Sequence, residues 1–195
     1  MGNINSNEIT VKINVSIKEM QEILIDKGFK LSDEFTCEDN YFIPKDTNIK
    51  SETIREIIKK AIIIRKVRND KVLVFKKKNI NENGDILEQE KFECDILDIE
   101  KAKKFLEAIG YKSIMNIFEK DVCYSKDGLG LALKNIKNGD NLMEVETQNI
   151  EGFRTTKELK EKLLKLNLPI DTSNFFVKKA EVELEKVINK TIKNN

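Results

Sequence analysis

The chain has 195 residues, 39% hydrophobic and 35% charged, which suits one globular domain with a possible helical appendage. Basic residues number 35 against 34 acidic, so no bulk electrostatic pull toward nucleic acid or an anionic membrane is expected. Histidine is absent, which excludes Ser-His and Cys-His nucleophile pairs, histidine-ligated zinc and histidine as a general base.

The first readable element is NEITVKINVS, residues 7 to 16. Glu8, Thr10, Lys12 and Asn14 alternate with Ile9, Val11, Ile13 and Val15, the period-two pattern of a strand with one polar and one apolar face. Ser16-Ile17-Lys18-Glu19 then has capping-box spacing, so a helix is expected to begin at Ile17, with Met20 and Leu24 on its apolar stripe and Gly28 as its stop. Residues 98 to 112, DIEKAKKFLEAIGYK, echo residues 16 to 30, SIKEMQEILIDKGFK: a cap followed by isoleucine, a leucine eight places after the cap, and a closing glycine-aromatic-lysine. The echo suggests two related strand-helix-strand halves.

Further strands are expected at 34–43, 61–67, 71–78, 91–97, 113–125, 129–136 and 141–148, which with the first makes eight. Turn signals at Arg68-Asn69-Asp70, Asn81 to Asp85, Lys126-Asp127-Gly128 and Asn138-Gly139-Asp140 make neighbouring strands antiparallel. Charges recur at even spacing, and so on one face, of these strands: Glu8 and Lys12 four apart, then Lys91, Glu93 and Asp95, and Glu144 and Glu146, two apart. Arg65 stands alone in the aliphatic run AIIIRKV. If these faces turn inward in a closed sheet they line a polar tunnel, with helices over the aliphatic faces outside; a flat sheet with one wet face gives the same alternation. After Gly152 a helix is expected from Thr155 or Thr156, stopped near Pro169, and a last one carries Phe176, Ala180, Leu184, Val187 and Ile188 on the stripe that docks it on the barrel or on a second subunit. Phe175-Phe176 is placed to plug a tunnel mouth.

The three cysteines, Cys37, Cys94 and Cys123, lack CxxC spacing and read as packing residues in a reducing cytoplasm. No apolar stretch approaches the ~20 residues of a membrane span, and no signal-peptide pattern opens the chain. A cytoplasmic location is therefore expected.

In order and spacing these segments resemble the CYTH superfamily, the triphosphate tunnel metalloenzymes that include class IV adenylyl cyclases and thiamine triphosphatase. EITVKI is similar to the family's E-x-E-x-K strand, AIIIRKV to its A-L-R-I-R strand, VLVFKK to the strand bearing its lysine, KFECDILDIEKA to its R-x-E-x-E segment, and NLMEVE to its final E-x-E. The resemblance covers about residues 8 to 148, with 153–195 as a C-terminal helical segment of the same single domain. It implies an α+β fold built on an eight-stranded antiparallel closed barrel with flanking helices. It also implies a nucleoside triphosphate, inorganic triphosphate or thiamine triphosphate in the lumen, with Mg²⁺ or Mn²⁺.

On that resemblance Glu8, Glu144 and Glu146, with Glu93 and Asp95 nearby, are the expected metal ligands, since hard divalent cations take carboxylate oxygen. Lys12, Arg65, Lys76 and Lys91 are the expected phosphate-binding cations. The chain departs from the pattern at Thr10 and Ile63, which replace charges, at Glu119 and Asp121, which stand where the family has K-x-R, and at Lys134, where an aspartate is usual. Triphosphate hydrolysis, cyclisation of ATP and a catalytically degenerate module that binds a phosphorylated ligand or metal without turnover all remain open at this point.

Overall fold

The computed structural model describes residues 9–80, 86–147 and 156–193. In chain order the elements are β1 (Ile9–Lys12), α1 (Ile17–Asp26), β2 (Lys30–Pro44), α2 (Ile54–Lys59), β3 (Ile62–Val67), β4 (Asp70–Ile80), β5 (Ile86–Asp95), α3 (Ile99–Ala108), β6 (Tyr111–Lys126), β7 (Leu129–Ile136), β8 (Asn141–Thr147), α4 (Thr156–Lys165) and α5 (Lys179–Lys193). The eight strands form one antiparallel sheet with flanking helices, in the order β1-β8-β7-β6-β2-β3-β4-β5.

Local chemistry sets the helix starts. Ser16 and Glu19 form a reciprocal capping box: Ser16 Oγ accepts from the Glu19 N–H at 3.2 Å, and Glu19 Oε2 accepts from the Ser16 N–H at 2.9 Å. Asp98 caps α3 through the Lys101 N–H at 3.0 Å. Both helices end at a glycine with positive φ, +83° at Gly28 and +93° at Gly110, so the echo between the two sequence segments extends to their backbone. The short helix α2 was not anticipated, although Thr53 and Glu56 cap it by the same grammar.

Chain contacts divide the described residues into two units, and β2 and β6 run from one into the other. The first unit holds residues 37–118 and the chain from Lys179 onward. In it Leu106 of α3 packs on Phe42 and Ile64 from the outer faces of β2 and β3. Helix α5 lies on α2, where Arg55 Nε and Glu181 Oε1 are 3.5 Å apart.

The second unit holds residues 9–36 and 119–178. Its core joins Ile9 and Val11 of β1 to Met20 and Leu24 of α1, to Leu131, Leu133, Met143 and Val145 of the sheet, and to Leu159 and Leu163 of α4. Fully burying a leucine such as Leu24 contributes about 2 kcal/mol. The aliphatic strand faces are thus covered by helices, as expected from the sequence.

One expectation needs correction. The sheet is not closed by hydrogen bonds: its order ends at β1 and β5, which do not pair among the described residues. The free edge of β1 is instead taken by the chain at 169–177. Thr10 N–H donates to Phe175 O (3.1 Å), Thr10 O accepts from Val177 N–H (2.9 Å), Lys12 O accepts from Asp171 N–H (2.8 Å), and Asn14 N–H donates to Pro169 O (2.9 Å). Phe175 is buried in the second unit's core under the Lys160 ammonium, 4.4 Å from its ring centroid, so it acts as an anchor for this segment.

The charged strand faces also carry apolar residues. Opposed residues share a face, and Arg65's face also carries Tyr41, Ile63 and Val74, all buried. Lys134's face carries Ala132, Ile136 and Leu142, also buried. On each of these two faces the charges are therefore flanked by buried apolar side chains. No described helix is long and apolar enough to cross a membrane.

Candidate functional site

In the first unit the β2–β3 register sets Asp39 opposite Arg65. Arg65 donates through Nε to Asp39 Oδ1 and through Nη2 to Oδ2, both at 2.7 Å, a bidentate pair that leaves Nη1 outside it. The Asp39 side chain is 1% exposed and that of Arg65 20%, so the carboxylate is the more deeply buried half of the pair. The Cys37 thiol also donates to Asp39 Oδ1 at 3.6 Å. Burial pushes the Asp39 carboxyl upward, but the Arg65 hydrogen bonds and charge outweigh it and hold it below the usual carboxylate range. Arg65 in turn is held above its ordinary value, because Asp39 overrides the effect of burial.

Lys76 and Lys91 stand directly opposite each other on this same face, β4 against β5. Like charges at opposed positions repel, and Glu93 relieves one of them by pairing with Lys91 Nζ at 2.5 Å. Glu93 and Asp95 are exposed at the strand's end, facing Val74 and Val72. Three of the four expected phosphate-binding residues, Arg65, Lys76 and Lys91, therefore share one sheet face within one unit.

The fourth, Lys12, lies in the second unit, where it pairs with Asp140 at 2.9 Å. That unit holds a denser cluster. The β6–β7 register sets Asp121 against Lys134, and the β7–β8 register brings Glu144 beside them. Lys134 Nζ donates to Asp121 Oδ2 at 3.0 Å and lies 3.5 Å from Glu144 Oε2 and 3.8 Å from Glu119 Oε1. Lys134 is 12% exposed and Glu144 18%. Burial alone would drive the Lys134 ammonium toward its neutral form, but Glu144, Glu119 and Asp121 together outweigh it and hold the lysine above its ordinary value. A cavity of about 270 Å³ opens on this cluster, lined by Asp121 and Lys134 with Ser32, Asp33, Phe35 and Tyr124 among others.

The donor set as arranged does not fit a divalent cation. Glu144 is directed at the Lys134 ammonium, and Glu93 at Lys91. Glu8 and the side chain of Glu146 lie outside the described residues; the Glu146 backbone stands opposite Gly130. Among the described residues no three carboxylate, thiol or imidazole side chains are grouped to hold a metal ion.

Sequence reasoning did not name Asp39, which orients Arg65. The available signal was an acid in the otherwise apolar alternation Cys37, Tyr41, Ile43, but matching it to an arginine 26 residues away requires the strand register. Glu119, Asp121 and Lys134 were noticed only as departures from a family pattern, yet they form the most enclosed charge cluster of the second unit.

No family model matches the chain, and no curated protein sequence does. Solved structures do. A protein of Pyrococcus horikoshii OT3 matches with a TM-score of 0.63 at 18% identity, over 92% of this chain and 98% of that one. A candidate adenylate cyclase of Vibrio parahaemolyticus matches with a TM-score of 0.59 at 10% identity, over 95% and 99%. A candidate adenylyl cyclase of Hippeastrum with a dominant triphosphatase activity matches with a TM-score of 0.54 at 18% identity, over 89% and 91%. The chain therefore has the fold of these proteins.

Proposed function

We propose that this chain binds a phosphorylated ligand of the triphosphate class through Arg65, Lys76 and Lys91, and that it acts as a binding module without metal-dependent turnover. The observation that carries the reading is the orientation of Arg65. A buried carboxylate grips Nε and Nη2, so the outer edge of the fork is presented on the face that also bears Lys76 and Lys91. A pre-oriented guanidinium beside ammonium groups suits phosphate oxygens, because little side-chain freedom remains to be lost on binding. Nucleoside triphosphate, inorganic triphosphate and thiamine triphosphate share that chemistry.

A second reading, an enzyme that hydrolyses a triphosphate or cyclises ATP, is favoured by the fold likeness to the Hippeastrum protein. One experiment separates the two. The purified chain is incubated with ATP, inorganic triphosphate and thiamine triphosphate, with and without Mg²⁺ or Mn²⁺, while phosphate, pyrophosphate and cyclic AMP are followed. Its melting curve is recorded in parallel. The binding reading expects no product above a Lys76→Ala, Lys91→Ala control, together with stabilisation of ~2.7 kcal/mol at 100 times the dissociation constant. Raised salt and the same double substitution should both abolish that stabilisation. An unmoved melting curve rejects the reading, and product above the control favours the enzyme.

A further inference from the structure

The carboxylates of the second unit already enclose a cation, and it is a covalent part of the chain. Asp121 Oδ2, Glu144 Oε2 and Glu119 Oε1 lie 3.0, 3.5 and 3.8 Å from Lys134 Nζ. Glu119 and Asp121 come from β6 and Glu144 from β8, the two strands that flank Lys134 on β7, and the hydrogen-bonded registers fix where each side chain starts. Acids converging from two strands on one point suit a hard divalent cation, and here the point is filled by the ammonium. We propose that the Lys134 ammonium replaces a divalent ion as the organising cation of this site, and that its removal turns Glu119, Asp121 and Glu144 into a divalent-cation site.

Three features of the structure support this. Glu119 and Asp121 are buried, so their charges need a cation close by whatever its chemical nature. The lysine is itself largely buried, and its acids keep it protonated against the cost of that burial. An ammonium has a single charge and three N–H donors, and its contacts of 3.0 Å and more are longer than the 2.3–2.6 Å of Ca²⁺ to oxygen. A vacated site would contract by a few tenths of an ångström or more, which favours Ca²⁺ or Mn²⁺, with flexible coordination, over Mg²⁺, which demands near-ideal octahedral geometry. The inference does not depend on the phosphate-binding reading, whose residues Arg65, Lys76 and Lys91 belong to the other unit.

The test compares the wild-type chain with Lys134→Met, which keeps most of the side-chain stem and removes the charge, and with Lys134→Arg, which keeps a charge. Each is titrated with Mn²⁺, following the free-ion electron paramagnetic resonance signal, and melted in chelator and in Ca²⁺ or Mn²⁺. The expected result is no binding by wild type or Lys134→Arg above that of a Glu144→Gln control. Lys134→Met should be less stable in chelator, then take up Mn²⁺ at one class of site and gain on the order of 5 °C in melting temperature at 100 times its dissociation constant. Adding Asp121→Asn to Lys134→Met should remove the uptake. Wild-type Mn²⁺ binding that Glu144→Gln abolishes would overturn the proposal. So would a Lys134→Met chain that stays folded without any response to the ions, or one that folds neither in chelator nor in either ion.

Discussion

Replacing Asp39 with asparagine changes almost nothing but charge, which makes it a sharp probe of the Arg65 pair. The substitution leaves a guanidinium that is four-fifths buried facing a neutral amide, where two charge-assisted bonds of 2.7 Å stood before. Removing one partner of a buried ion pair costs about 3–5 kcal/mol, and the 20% exposure of Arg65, which lets water reach it, sets the expectation near the low end, about 3 kcal/mol. At this chain length that corresponds to a fall of roughly 6–12 °C in melting temperature. Urea unfolding followed by circular dichroism measures the loss, and a double-mutant cycle with Arg65→Met isolates the coupling, expected at about 2–3 kcal/mol. The cost should also depend on pH. Because the folded-state pKa of Asp39 lies below its unfolded value, the unfolded chain binds more protons between the two, and stability rises with pH across that interval. The pair's contribution is complete above the ordinary carboxylate range and is lost as pH falls through the depressed value, so wild type and Asp39→Asn should converge in acid. A loss under about 0.5 kcal/mol, additive single substitutions, or a difference that persists in acid would refute the reasoning.

Gly110→Ala tests backbone strain alone: its φ is +93° and no atom lies within 4 Å of the added Cβ, so the expected cost is about 1–2 kcal/mol by chemical denaturation. Gly28→Ala, at +83° with the Lys126 ammonium at ordinary contact distance, should cost a similar amount; a much larger loss at either position would point to a steric cause instead. Phe175→Ala should destabilise by about 3–5 kcal/mol, since it empties a buried position that ties 169–177 to β1, and it should raise hydrogen exchange at the Thr10 amide above that of the Ile64 strand.

What the sequence made legible were features decided within a few residues. The Ser16 and Asp98 caps, the positive-φ glycines, and the turns in which Arg68, Asp127 and Asn138 take positive φ are local chemistry, and helix starts and hairpins followed from them. Thr53 with Glu56 shows that the same rule, applied once more, would have found α2. Partnership between distant side chains was not legible. The alternation on β3 assigns Arg65 to a face, but only the register reveals that the face is otherwise occupied by Tyr41, Ile63 and Val74, and that Asp39 meets the arginine. Period-two patterning says which residues point the same way and is silent on whether water lies in front of them. Lys134 shows this most plainly: in sequence it interrupts a run of small and aliphatic residues, while in the fold three acids surround it.

The strand β1 lies between β8 on one side and the chain at 169–177 on the other, both of them far downstream in sequence. During synthesis β1 emerges before both of these partners, and it stays unpaired until residues 141–177 have followed it out of the ribosome. Its aliphatic residues Ile9, Val11 and Ile13 must wait in an unpaired state, exposed to chaperones and to other nascent chains. The emergence of residues 141–177, more than the intrinsic speed of sheet formation, then sets when β1 becomes protected from proteases.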